Sequence, residues 1–188
     1  DDVACDYILV SHAHGDHLGD APSIAARTGA KIVSTPEVIS VCESQTLAEI
    51  ESCPMNIGGS LNLPFGKVRM TFAQHSAGVA GGIACGFVVY IGGRTVYYAG
   101  DTALFSDMQL IGRKDSIDYA VLPIGDNYTM GLEDAAMAAQ WVNAGHVIPI
   151  HYNTWPVIKQ EARHYKDVTE AMTRARVHIM APGDTMEL

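Results

Sequence analysis

Three observations predict an α/β domain. Apolar runs of strand length recur along the chain, stretches of helical pattern alternate with them, and polar clusters rich in metal-binding side chains follow several of the runs directly. With 188 residues, 48% of them hydrophobic, the chain can bury one substantial core, and nothing in it reads as a linker, so residues 1–188 are expected to form a single domain.

The first strand is the apolar run Tyr7-Ile8-Leu9-Val10, ended by Ser11-His12-Ala13-His14-Gly15-Asp16-His17. Three histidines and an aspartate crowd into six positions at this strand's carboxyl end. On extended backbone, side chains two apart point the same way, so His12 and His14 can converge on one ion. Asp16 and His17, beyond the flexible Gly15, can turn toward a second. A polar loop whose histidines bond to backbone would suit one histidine, not three. Imidazole and carboxylate without thiolate suit zinc and other first-row ions, in sites that keep a position open for water.

Next, Leu18 to Gly29 reads as a helix with Asp20 as cap candidate, Pro22 in its first turn and a closing glycine. Lys31 to Ser34 is a short strand and Pro36 to about Ser44 a second helix. Pro54, Gly58, Gly59 and Pro64 mark a looped edge in which Ser60 to Leu63 can form a strand. From Lys67, alternating Val68, Met70 and Phe72 read as a half-buried strand that delivers His75, either a ligand or a satisfied loop residue. Gly86 to Ile91 and Thr95 to Tyr98 flank Gly92-Gly93-Arg94 as a hairpin, and the second strand ends at Gly100-Asp101-Thr102, where an aspartate can also simply cap a turn.

Asp118 to Ile124 is a further strand, followed by a loop whose Asp126, Asn127 and Tyr128 either face substrate or make a helix-entry turn. Alanine-rich Leu132 to Asn143 is helical. His146 to Ile150 forms the strand that presents His151 and, two residues on, the substrate-binding candidate Asn153. Lys159 to Arg176 reads largely as a helix with a solvated, mixed-charge face, and Val177 to Met180 as a last strand. His146, His164 and His178 are expected to take no catalytic part.

Composition excludes several classes. No apolar run approaches the roughly 20 residues of a membrane span and no charged-then-apolar leader opens the sequence, so a soluble, cytoplasmic protein is expected. Cys5, Cys42, Cys53 and Cys85 show no paired short spacing and are expected to be reduced thiols. A net charge of -9 disfavours a general nucleic-acid surface, while bound cations would reverse the sign locally.

The His-x-His-x-Asp-His pattern after a strand resembles the signature of the metallo-β-lactamase superfamily. The stretches Leu122 to Asn127, Thr129 to Gly131 and Ile148 to Thr154 resemble its group of metal-dependent hydrolases related to the ascorbate-6-phosphate lactonases. The resemblance implies an αββα sandwich of two facing sheets with helices outside, here lacking the group's N-terminal hairpin, so that either upstream chain or a homo-oligomer partner would cover the exposed strand. It implies His12, His14 and His75 on one metal, Asp16, His17 and His151 on the other, and Asp101 between them. Two divalent ions are expected, zinc first, with manganese, nickel or iron as alternatives.

The expected chemistry is hydrolysis of a small ester, lactone, thioester or similar bond by a hydroxide held between the ions, with Asp16 and Asp101 orienting it. A phosphodiesterase or nuclease is the alternative. A β-lactamase is disfavoured because the dinuclear lactamases resembled place cysteine where Asp101 stands. A di-iron oxidoreductase would favour glutamate at His14 and need a flavin partner, and a non-catalytic metal-binding protein would not need seven ligands.

Overall fold

A computed structural model describes residues 3–187. Two sheets organise it. The smaller is all parallel, with β1 (Tyr7–Leu9), β2 (Lys31–Ser34) and β3 (Ser52–Pro54) side by side in that order. The larger has seven strands. From one edge inward run β4 (Ser60–Leu63), β5 (Gly66–Phe72), β6 (Cys85–Ile91) and β7 (Arg94–Tyr98), an antiparallel meander. Three parallel strands complete it, β8 (Tyr119–Pro123), β9 (His146–Ile150) and β10 (Arg176–Val177).

Alternation along the strands assigns the layers. In β2, Val33 joins Val68, Met70, Cys85 and Phe87 in a core between the two sheets, while its neighbour Ile32 faces the opposite way. That outer face is covered by α2 (Ala21–Thr28) and α3 (Pro36–Ser44), through Ala25, Val38 and Cys42. In β6, Phe87 points inward and Val88 outward, into a third core beneath α4 (Met108–Lys114), α5 (Leu132–Val142) and α6 (Ala162–Met172). Side chains alternate across a strand, so each sheet buries both faces and the order is helix, sheet, sheet, helix. Phe87 lies fully buried between the sheets, and truncating it to alanine would cost about 3–5 kcal/mol.

The αββα arrangement agrees with the expectation, with local corrections. Ser52–Pro54, read as part of a looped edge, is strand β3, a piece too short to show alternation. Helix α4 had no sequence signal strong enough to place it, because Gly112 interrupts it; the glycine lets the helix lie against the Trp141 carbonyl, which an added Cβ would approach to 2.4 Å. The last strand covers only Arg176–Val177, and the charged helix is trimmed to Ala162–Met172 behind a 3-10 turn at Pro156–Ile158. No helix among the described residues is long and apolar enough to cross a membrane. All four cysteines are free thiols, and burial pushes Cys42 up to about 11 and Cys85 up to about 12, which makes them poor nucleophiles.

Candidate metal centre

The candidate ligands stand at strand carboxyl ends of both sheets. His12 and His14 follow β1, Asp16 and His17 lie in the one-turn helix α1 (Gly15–Leu18) that comes next, His75 follows β5, Asp101 follows β7 and His151 follows β9. Hydrogen bonds join these loops: Ala13 N–H donates to Ala77 O (2.8 Å), Cys85 N–H to Ser11 O (3.0 Å), and Gln74 N–H to the Thr102 side-chain Oγ1 (3.0 Å). Two glycines permit the close approach. Gly78 (φ 70°) lies where a Cβ would stand 2.7 Å from the His14 ring, and Gly100 (φ 65°) where one would stand 2.8 Å from Cys85 O.

All seven side chains converge. His12, His14 and His75 bring ligand atoms within 4.8 Å of one another, and so do Asp16, His17 and His151. A third group, His12, His17 and Asp101, links the two. Each of the first two sets takes ligands from both sheets. His12 Nε2 faces His14 Nδ1 at 3.0 Å, while Ser11 Oγ holds the other His12 nitrogen at 3.0 Å and Ser76 Oγ lies 3.3 Å from His14 Nε2. Asp101 Oδ2 stands 3.2 Å from His17 Nε2, 3.3 Å from His151 Nε2 and 3.6 Å from His75 Nε2, and Asp16 Oδ2 stands 3.4 Å from His151 Nε2.

The donors fit a metal better than they fit each other. Asp101 Oδ1 and His17 Nε2 are buried without a hydrogen-bond partner, the latter because its approach to Asp101 is close but poorly aligned. Buried orphan atoms are costly unless something else satisfies them. Burial, then the neighbouring His17, lowers the His12 pKa to about 3, which keeps the imidazole neutral and its lone pair available. Burial also lowers His75. Burial would lower His17 too, but the Asp101 and Asp16 carboxylates outweigh it and raise that group. Against its own burial, Asp101 is held below the usual carboxylate range by His17, His151 and His12. The centre thus sets His12 and His75, which burial keeps from protonating, beside an ionised Asp101, and its imidazole and carboxylate donors suit borderline divalent ions.

A cavity of about 570 Å³ opens on these residues, lined by five of the seven together with Ser76, Tyr128 and Trp155. Of the four substrate candidates, only Tyr128 lines it. Asp126 Oδ1 accepts the Asn127 N–H (2.8 Å), and Asn153 uses both ends of its amide on the Gln160 backbone. Asp126, Asn127 and Asn153 all carry positive φ, and the Asp126 and Asn153 side chains brace their turns. Ser76 and Trp155 were not anticipated from sequence, where a serine beside a ligand and a tryptophan four residues after one look like ordinary loop residues.

The architecture matches a known family. A model of the beta-lactamase superfamily domain matches residues 1–152. The chain belongs to the beta-lactamase superfamily. It is 46% identical over 187 residues to a UPF0173 metal-dependent hydrolase of Natranaerobius thermophilus, covering all of this chain and 83% of that one. Among solved structures, it resembles Igni18, a metallo hydrolase from Ignicoccus hospitalis, with a TM-score of 0.90 and 36% identity over 98% of this chain and 80% of the other. The metallo-beta-lactamase fold protein YhfI from Bacillus subtilis, at 15% identity and a TM-score of 0.77 over 97% of this chain and 78% of its own, shares the fold.

Proposed function

We propose that this metal-dependent hydrolase holds two divalent ions, zinc foremost, and cleaves a small ester, lactone, thioester or similar bond as a single catalytic domain. The observation that carries the reading is the pair of ligand sets meeting at Asp101 on one cavity. His12, His14 and His75 would hold one ion; Asp16, His17 and His151 would hold the other. Bound there, the ions would acidify a water and polarise the scissile carbonyl.

The chain's own residues do the rest. Asp101, ionised and central, supplies negative charge that offsets the repulsion between two cations. Asp16, whose side chain is 44% exposed, reaches the cavity from the solvent side, where its Oδ2 can orient the attacking water and take its proton. Ser11 fixes the His12 ring by bonding its outer nitrogen, so that Nε2 faces the centre.

Elemental analysis of metal-loaded protein, followed by a panel of lactone, ester, thioester and phosphodiester substrates, tests the proposal. Two ions per chain and turnover of a carboxylic substrate are expected. One ion per chain would overturn the dinuclear reading, and turnover of the phosphodiester alone would replace the substrate class.

A further inference from the structure

Two exposed aromatics face the metal cavity, and the fold takes trouble to hold them there. Tyr128 is 54% and Trp155 37% exposed, so neither serves the core. Both sit on short loops with firm internal bonding. The Tyr128 turn is closed by Asp126 N–H to Met130 O (2.9 Å) and anchored by Met130 N–H to Thr102 O (3.1 Å), beside the Asp101 ligand. The Trp155 loop is closed by Asn153 on Gln160 and by Asn153 N–H to Ile158 O (2.9 Å), with the Trp155 ring edge-on to His151 at 6.0 Å. Gln160 Nε2 then reaches Gly125 O (3.3 Å), at the root of the other loop, so the two loops are tied to each other.

Charge completes the picture. Among the described residues no lysine or arginine lines this cavity, and its charged side chains include the carboxylates of Asp16 and Asp101. Lys159 shares a separate groove with Trp155 but does not reach the metal cavity. Beyond the ions themselves, a second anionic group on the substrate, such as a phosphate or a carboxylate, would find no cationic side chain to pair with here. A flat or aliphatic uncharged group would find two aromatic faces.

Resting on the hydrolase reading above, we propose that Tyr128 and Trp155 are specificity-determining walls that select substrates whose non-reacting part is uncharged and apolar, best of all aromatic. Exposed aromatics on braced loops lose little entropy on binding, which is the condition for such a role.

Three metal-chelating probes with a common head test this on zinc-loaded protein by calorimetry and Trp fluorescence: acetohydroxamate, phenylacetohydroxamate and the monohydroxamate of succinate. Phenylacetohydroxamate should bind about tenfold more tightly than acetohydroxamate, and the succinate probe no more tightly than acetohydroxamate. Trp155→Ala and Tyr128→Ala should each remove most of the phenyl advantage while leaving acetohydroxamate affinity and zinc content in place, and Trp155→Phe should retain it. If the phenyl advantage is absent, survives in the double alanine variant, or is exceeded by that of the carboxylate tail, the proposal falls while the metal centre stands. If acetohydroxamate itself fails to bind, the metal-centre reading falls and takes the walls with it.

Discussion

Among the described residues two aspartates lie buried, Asp101 at 3% and Asp115 at 7% exposure, and their surroundings differ in kind. Asp115 follows α4 and is closed in by the Arg69 guanidinium of β5 and the Tyr90 hydroxyl of β6, a full positive charge and a donor. Asp101 meets only imidazoles, and one of its oxygens has no partner. The first arrangement gives both carboxylate oxygens a donor and ties a helix to a sheet, leaving only the Arg69 Nε buried without a partner. The second is a carboxylate kept ionised and left unfinished, which is how a group meant for something outside the chain looks.

That difference can be broken from either side. Asp101→Asn should lower turnover roughly a thousandfold, about 4 kcal/mol of barrier, while the metal-free variant unfolds within about 1 kcal/mol of the parent. Steady-state rates and urea melts measure both, and equal losses in the two would make Asp101 structural. Conversely, Arg69→Met leaves Asp115 buried without its cation and should cost about 3–5 kcal/mol of stability. Turnover per folded molecule should be untouched. Adding Asp115→Leu should recover most of the loss, since a matched apolar pair needs no compensation.

Smaller changes sharpen the contrast. Tyr90→Phe removes one donor from Asp115 and should cost about 1–2 kcal/mol in denaturant melts, with the ion pair still present. The smallest effect concerns another closed arrangement, His146 Nδ1 at 2.9 Å from His178 Nε2, at the end of β9 opposite His151. Burial first, then His146, Arg176 and Lys166, lower the His178 pKa below its ordinary 6.5. The folded protein therefore binds this proton less readily than the unfolded chain does. Its contribution is complete above 6.5 and is lost as pH falls through the lowered folded value. His178→Gln should make the decline in stability between about pH 7.5 and about pH 5 shallower, as read by melts at both ends.

How far this was legible in the sequence depends on whether the signal was local. His12, His14, Asp16 and His17 announce themselves by density, and His75, Asp101 and His151 by standing where strands end, so their convergence follows once the strands are placed. Chain partners far apart in sequence leave no such mark. Nothing near Asp115 distinguishes it from a helix-ending aspartate until Arg69, 46 residues earlier, is brought against it. Trp155 was missed for the same reason, because its position over the cavity depends on Asn153 bracing Gln160 and on Gln160 reaching Gly125. Asn127 and Asn153, expected to touch substrate, show why polar residues at strand ends are ambiguous in a sequence: such residues also serve turns that need positive φ, and both carry positive φ here.

The ligand sets have a consequence beyond chemistry. Each draws on loops from both sheets, so an ion held by either set would act as a clasp across the sandwich. An ion at a thousand times its dissociation constant would add about 4 kcal/mol to the work of separating them. Starved of metal, the same chain would open more often and offer proteases its inner faces, so that its lifetime in the cell would follow the metal supply and idle, unloaded copies would be cleared first.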